Sequence, residues 1–378
     1  MPSGIGELHG SSPILVAAVS ITTSSFRLLT SISLLLVVAM AVTGFISSAY
    51  RREKQAIGEQ HYQIGQQLEK KGDLPASVEE YRKALLFSPD KVEYRISFVA
   101  ALMHSGRLDE AESHLDQLLA EDPTNGALNL MRARLALRRN LVPKAIDYYR
   151  RAVYEYWPAS QVYQRRQARW ELIDLLKRAK RREEAVAELM ALYANAPADS
   201  KLKTKIGFEL LDNGGTSEAL EVFQQLTRGS HHDSQAHRGL GEAYFASGEF
   251  ISARHEYERA LRFNPKDRES SEALNFTNAV IDLDPELSGL PSAERFRRSQ
   301  NLLRRVLANL EVCSAPEGSK EQLDAAQLLQ SSPKNNPDLA LELQKNAKQL
   351  WTSRGQVCGN KPIDDNVLAT VFERILNG

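Results

Sequence analysis

Side chains able to do chemistry are plentiful in this sequence, but no spacing gathers them as a reaction would need. There is no phosphate-cradling GxxxxGK[ST], no GxGxxG, no GxSxG and no HExxH. His231 and His232 are adjacent, yet no cysteine lies near them, so a turn or solvated loop accounts for them better than a metal does. The carboxylates are scattered over helix-like segments, which is the pattern of ordinary solvated surface. Cys313 and Cys358, the two cysteines, have no CxxC partner and no nearby histidine to complete a zinc set. Two buried thiols or one disulfide would explain them, and the choice stays open. We expect no enzyme, no cofactor and no metal, which leaves binding as the question.

Charge gives the first pointer to a binding surface. The 48 basic and 48 acidic residues cancel, but between Arg132 and Arg182 fifteen Lys or Arg face four Asp or Glu, a local balance of +11. The remainder therefore carries about −11. Such a segment could meet an acidic protein or a nucleic acid. The basic residues are spread over many helix positions and no aromatic-basic nucleic-acid motif accompanies them, so nucleic acid is the disfavoured alternative; a non-catalytic regulatory arm of an enzyme complex is another.

The elements that would position such a surface begin with an anchor. Arg27 is followed by LLTSISLLLVVAMAVTGFISSAY, closed by Arg51, Arg52 and Lys54. About 22 uncharged residues at ~1.5 Å each cross a hydrocarbon core of ~30 Å. A cleaved signal peptide is the rival, because Ser47 and Ala49 make a small-x-small pattern, but the apolar run exceeds a usual signal core. We expect an N-terminal segment over 1–27 and a transmembrane helix over 28–50. The Arg51–Lys54 cluster favours a cytoplasmic body, whereas a disulfide would favour an oxidising compartment. We lean to the extracytoplasmic, periplasmic side.

Next comes a repeat. Gly72, Gly106, Gly214 and Gly248 share one phase, with Asn140 and Lys180 in the two remaining copies. Ser77, Ala111, Ala145, Ala185, Ala219 and Ala253 share the next. Tyr81, Leu115, Tyr149, Leu189, Phe223 and Tyr257 follow, and Pro89, Pro123, Pro197 and Pro265 close four of the units. The step is 34 residues except between copies three and four, where it is 40. Small residues let two helices approach, the large residue fills beside them, and the closing proline ends the second helix.

The period and these positions resemble the tetratricopeptide repeat. The resemblance covers 58–267 in six copies: 58–91, 92–125, 126–159, 166–199, 200–233 and 234–267. It implies an all-α fold, a superhelical solenoid of helix pairs, whose first helices line a groove that binds a protein or extended peptide. Carried over by register, the groove residues are Tyr62, Gln66 and Met103, then Arg134 and Arg138. Trp170, Asp174, Lys177 and Arg178 follow, with Phe208, Arg238 and Phe245 completing the set. Ile96, Leu130, Leu137, Thr204, Leu211 and Glu242 occupy equivalent positions. Basic and aromatic side chains together suit a peptide with acidic groups and apolar anchors. The family's clamp for chaperone C-termini is not implied, since Tyr62 and Gln66 stand at two of its positions.

Beyond the array, 268–283 reads as a capping helix, DPELSGLPS as a linker, and 292–378 as a small helical region. The six extra residues near 159–164 read as a longer first helix or a looser turn in copy four.

Overall fold

The computed structural model describes residues 23–230, 232–311, 320–331, 336–358 and 365–377. Among these, seventeen α-helices and two short 3-10 turns account for nearly all regular structure, and no strand forms. The chain divides into two compact units, Met1–Tyr156 and Trp157–Gly378.

The first unit contains α1 (Thr23–Lys71), α2 (Leu74–Phe87), α3 (Val92–His104), α4 (Leu108–Glu121), α5 (Gly126–Arg138) and α6 (Val142–Tyr154). The first helix is unbroken for 49 residues, so the apolar span and the opening helix of the first repeat are one element. Leu34, Leu35 and Phe45 are among its large side chains exposed on every side, whereas further along Gly58 and Gly65 are buried against α2. Apolarity and length make it able to cross a membrane. Val78, Tyr81, Phe98, Leu102, Leu115, Leu128 and their neighbours form this unit's core. Its end is closed by a strap: the Gly126 amide donates to the Tyr156 carbonyl at 2.9 Å, and the Tyr156 amide to Thr124 at 3.1 Å.

The second unit begins with the irregular copy. A 3-10 turn at Ala159–Gln161 leads into α7 (Val162–Arg178), 17 residues long where α9 and α11 have 13. Four of the extra six residues therefore lengthen a first helix and the 3-10 turn takes up the rest, close to where the chain divides. Then come α8 (Arg182–Ala194), α9 (Ser200–Asp212), α10 (Thr216–Gly229), α11 (Ser234–Ala246) and α12 (Phe250–Phe263). Next are α13 (Arg268–Leu283), α14 (Ser292–Glu311), α15 (Lys320–Ser331), α16 (Ala340–Cys358) and α17 (Asn366–Asn377).

Local chemistry explains the boundaries. Asn125, Asp199 and Asp233, each the last residue of its 34-residue unit, accept from two backbone amides at the start of the next helix at 3.0–3.3 Å. At the turns within each pair, Gly72, Gly106, Gly214 and Gly248 have φ of +79 to +82°. Asn140 and Lys180 take the same left-handed conformation at +59°, although only glycine adopts it without strain. Inside each pair the small residues Ala111, Ala145, Ala185, Ala219 and Ala253 are fully buried.

The segment expected as a linker is a packed turn. Asp284 is fully buried, accepts from the Glu286 amide at 2.9 Å and pairs with Arg374 of α17 at 2.5 Å. Arg298 of α14 donates to the carbonyls of Ile281 and Asp284. As a result α13 shares one core with α14, α16 and α17, containing Val280, Phe296, Leu303, Leu343 and Phe372. Cys358 lies buried in that core and is disulfide-bonded. Cys313, the other cysteine of the possible disulfide, and His231 lie outside the described residues.

Candidate partner-binding surface

The first helices of the pairs carry the expected surface, and its geometry is given for each unit separately. In the first unit Tyr62 is half-buried and stacks on Tyr94 at 4.4 Å between ring centres, while its hydroxyl meets Ser97 at 3.2 Å. Gln66 is half-buried one turn further on. Met103 belongs to the core, with 5% of its surface exposed, so it offers little to a partner. Arg134 and Arg138 are exposed. Arg138 also donates to the Met103 carbonyl at the end of α3, which the Gly106 amide reaches as well at 3.2 Å.

In the second unit aromatic rings alternate with cations along consecutive first helices. Trp170 is half-buried beneath Lys205, whose Nζ lies 4.4 Å from the ring centre. Phe208 sits edge-on to Phe223 at 5.1 Å and carries the Arg238 guanidinium over its face at 4.6 Å. Such contacts contribute ~0.5–1 kcal/mol each at exposed sites. Asp174 and Arg178 are exposed, and Arg178 Nε donates to the Asp174 carbonyl at 3.2 Å. Phe245 packs against Phe250 at 5.0 Å and Phe276 of α13 at 5.7 Å, so the capping helix takes up part of its face.

The cations of this surface already have carboxylates beside them. Lys177 meets Glu209 at 2.5 Å, and this hydrogen bond, opposed by desolvation, raises the lysine's pKa. Arg238 pairs with Glu269 and lies 3.7 Å from Glu242. Burial pushes the Glu242 carboxyl above its usual range, with Arg238 pulling the other way. The basic segment is similarly balanced at several points. Arg132 pairs with Glu112 at 2.7 Å and with Asp116 at 3.1 Å, and Arg139 with Asp109 and Glu112. An anionic partner would therefore compete with internal carboxylates for these groups.

Reasoning from the register missed three things. Lys205 lies one position from the groove set, and a cation beside Trp170 could have flagged it. Glu209 and Glu269 come from neighbouring helices, which no single helix pattern exposes. The third is a polar pair repeated at one place in the unit: His61 with Glu80 at 2.7 Å and His237 with Glu256 at 2.6 Å. Phe87 stacks on His61 at 5.8 Å and Phe263 on His237 at 5.6 Å. Equal spacing in both copies was visible in the sequence. No three metal-binding side chains converge among the described residues.

A family model for the tetratricopeptide repeat matches residues 98–160 and 205–268. Within these two windows the chain matches tetratricopeptide repeats. Both matched windows lie in regular parts of the array and leave out α7, the lengthened helix. No curated protein matches the sequence. Among solved structures, the chain is similar to YrrB, described as a tetratricopeptide protein with an unusual peptide-binding site. Identity is 17%, coverage 52% of this chain and 99% of that one, and the TM-score 0.38. It is also similar to PilF of Pseudomonas aeruginosa, at 12% identity, 58% and 97% coverage, and a TM-score of 0.37. A tetratricopeptide protein from Parabacteroides merdae aligns at 13% identity, over 85% of this chain and 100% of that one, with a TM-score of 0.34.

Proposed function

We propose that this protein is a membrane-anchored tetratricopeptide scaffold, built from six repeats over 58–267, that binds another protein and performs no catalysis. Residues 28–50 serve as the anchor and 268–378 close the array. The observation that carries the binding role is the row of half-buried rings under cations, Trp170 with Lys205 and Phe208 with Arg238. Flat apolar faces edged by charge suit an extended peptide with apolar anchors and acidic groups. The disulfide at Cys358 supports a body in an oxidising compartment, hence the periplasmic side and a role in a bacterial cell-envelope assembly. The pairing of Arg132 and Arg139 with carboxylates speaks against nucleic acid as the partner of segment 132–182.

The test uses full-length protein in detergent, presented to a displayed library of extended peptides. Enrichment is compared between wild type, a Trp170→Ala, Phe208→Ala double variant, and an Arg134→Glu, Arg138→Glu, Arg178→Glu triple variant. Selected peptides should carry aromatic and acidic residues, and binding should fall at least about tenfold in both variants, ~1.4 kcal/mol, with helicity unchanged. Equal binding by wild type and both variants would remove these helices as the binding surface.

A further inference from the structure

Formal charge is not even along the first helices of the second unit. Setting Lys and Arg against Asp and Glu, α7 has five against two, α9 three against two and α11 one against one. In α13, which follows them, the balance is one against three. The sign therefore changes along the row, from positive at the lengthened helix to negative at the capping one. Individual side chains show which of these charges remain open to a partner.

At the positive end Lys205 is exposed and lies over Trp170, with no carboxylate bonded to it among the described residues. Arg178 is exposed too, and its one hydrogen bond among the described residues goes to a carbonyl of its own helix. Lys177 differs, because Glu209 already holds it. At the other end Glu242 of α11 is half-buried and makes no hydrogen bond among the described residues. The cation beside it, Arg238, lies 3.7 Å away and is paired with Glu269, so one guanidinium serves two carboxylates. Burial, with Asp212 and Asp267 adding to it, holds the Glu242 carboxyl above its usual range against the pull of Arg238. A partly desolvated carboxylate without a hydrogen bond is destabilising. A cationic donor from a ligand would relieve it.

We propose that this surface selects a peptide segment carrying charges of both signs, its acidic side chain at Lys205 and its basic side chain at Glu242. The inference rests on the peptide-binding role proposed above and adds a base, where that role alone asks for apolar anchors and acidic groups. Lys205 sets α9 beside α7 by covering Trp170, and Arg238 sets α11 beside α9 by covering Phe208. Neighbouring helices pack ~8–10 Å apart, so the two charges stand one to two steps from each other, ~10–20 Å. Extended chain covers that distance in about three to six residues at ~3.3 Å each. Opposite charges at the two ends also fix which way the segment lies, because turning it about would set like against like.

Fluorescence anisotropy with full-length protein in detergent tests this against four labelled peptides. All share two tryptophans, and at two positions about four residues apart they carry Asp and Lys in either order, two Asp, or two Lys. The better mixed peptide should bind about fivefold tighter than either like-charged one, the effect of a partly exposed ion pair. Lys205→Gln should weaken the mixed and doubly acidic peptides and spare the doubly basic one. Glu242→Gln should weaken the mixed and doubly basic peptides and spare the doubly acidic one. A doubly acidic peptide that binds as tightly as the better mixed one would overturn the proposal and leave a merely cationic surface. So would a Glu242→Gln protein that binds all four as wild type does. Failure of all four to bind wild type would overturn the proposal together with the surface it rests on.

Discussion

Phe223 holds the centre of the second unit's repeats, and glycines on two helices face its ring. A Cβ added at Gly207 would stand 2.5 Å from Cζ of that ring, and one at Gly239 would stand closer still. Phe223 is fully buried, so it cannot swing out to make room, and Gly207 limits retreat towards α9. Gly239→Ala should gain ~1 kcal/mol from helix propensity. It should lose up to ~3 kcal/mol by overpacking, since the ring has no free space to enter. The net expectation is a loss of about 2 kcal/mol. Phe223→Leu removes the ring, and in that background the same glycine change should be neutral or favourable. A four-member cycle followed by urea unfolding and circular dichroism reads the difference, with an expected coupling of about 2 kcal/mol. A Gly239→Ala protein as stable as wild type, or changes that add within ~0.5 kcal/mol, would refute the argument. Phe208 leans edge-on against this ring, so the same variant should also disturb the proposed peptide surface.

Two further outcomes follow from single side chains. Lys180→Gly should raise stability by about 0.5–1 kcal/mol, because relief of ~1–2 kcal/mol of left-handed strain outweighs the flexibility of glycine in the unfolded chain; a lower thermal midpoint than wild type would count against it. Glu294 is held down to about 2 by hydrogen bonds from Arg297 and then Arg298. An unfolded glutamate titrates near ~4.3, so its stabilising contribution is complete above that pH and is lost as pH falls through 2. Glu294→Gln should therefore be less stable than wild type at pH 6 and approach it near pH 2, measured by urea midpoints; a gap that stays constant with pH would rule this out.

The array was legible because its signals are local and recur. Ala219, Phe223 and the turn at Gly214 each announce themselves by type and spacing. Even Asn140 and Lys180 could be placed by phase, although their residue types do not declare a left-handed turn. What was hidden depends on contacts between elements. Met103 and Phe245 occupy groove positions by register, but one faces the core and the other lies against α13. Glu209 and Glu269 set the charge of the surface from other helices, beyond the reach of any single-helix pattern. The turn at 284–292 is polar and rich in turn formers, so it reads as a linker, yet Arg298 and Arg374 draw Asp284 inside.

The unbroken first helix has a geometric consequence for the proposed anchor. An α-helix advances by ~1.5 Å and turns by ~100° with every residue. Between the apolar span and Gly58, where packing on α2 begins, no break interrupts the winding. Depth and azimuth of the repeats are therefore geared to one another, as in a screw thread. Removing a single residue from 51–57 would draw the first repeat only slightly nearer the bilayer, but would face it more than a quarter turn away. A partner fixed in the same membrane would sense the heading of the array far more sharply than its height.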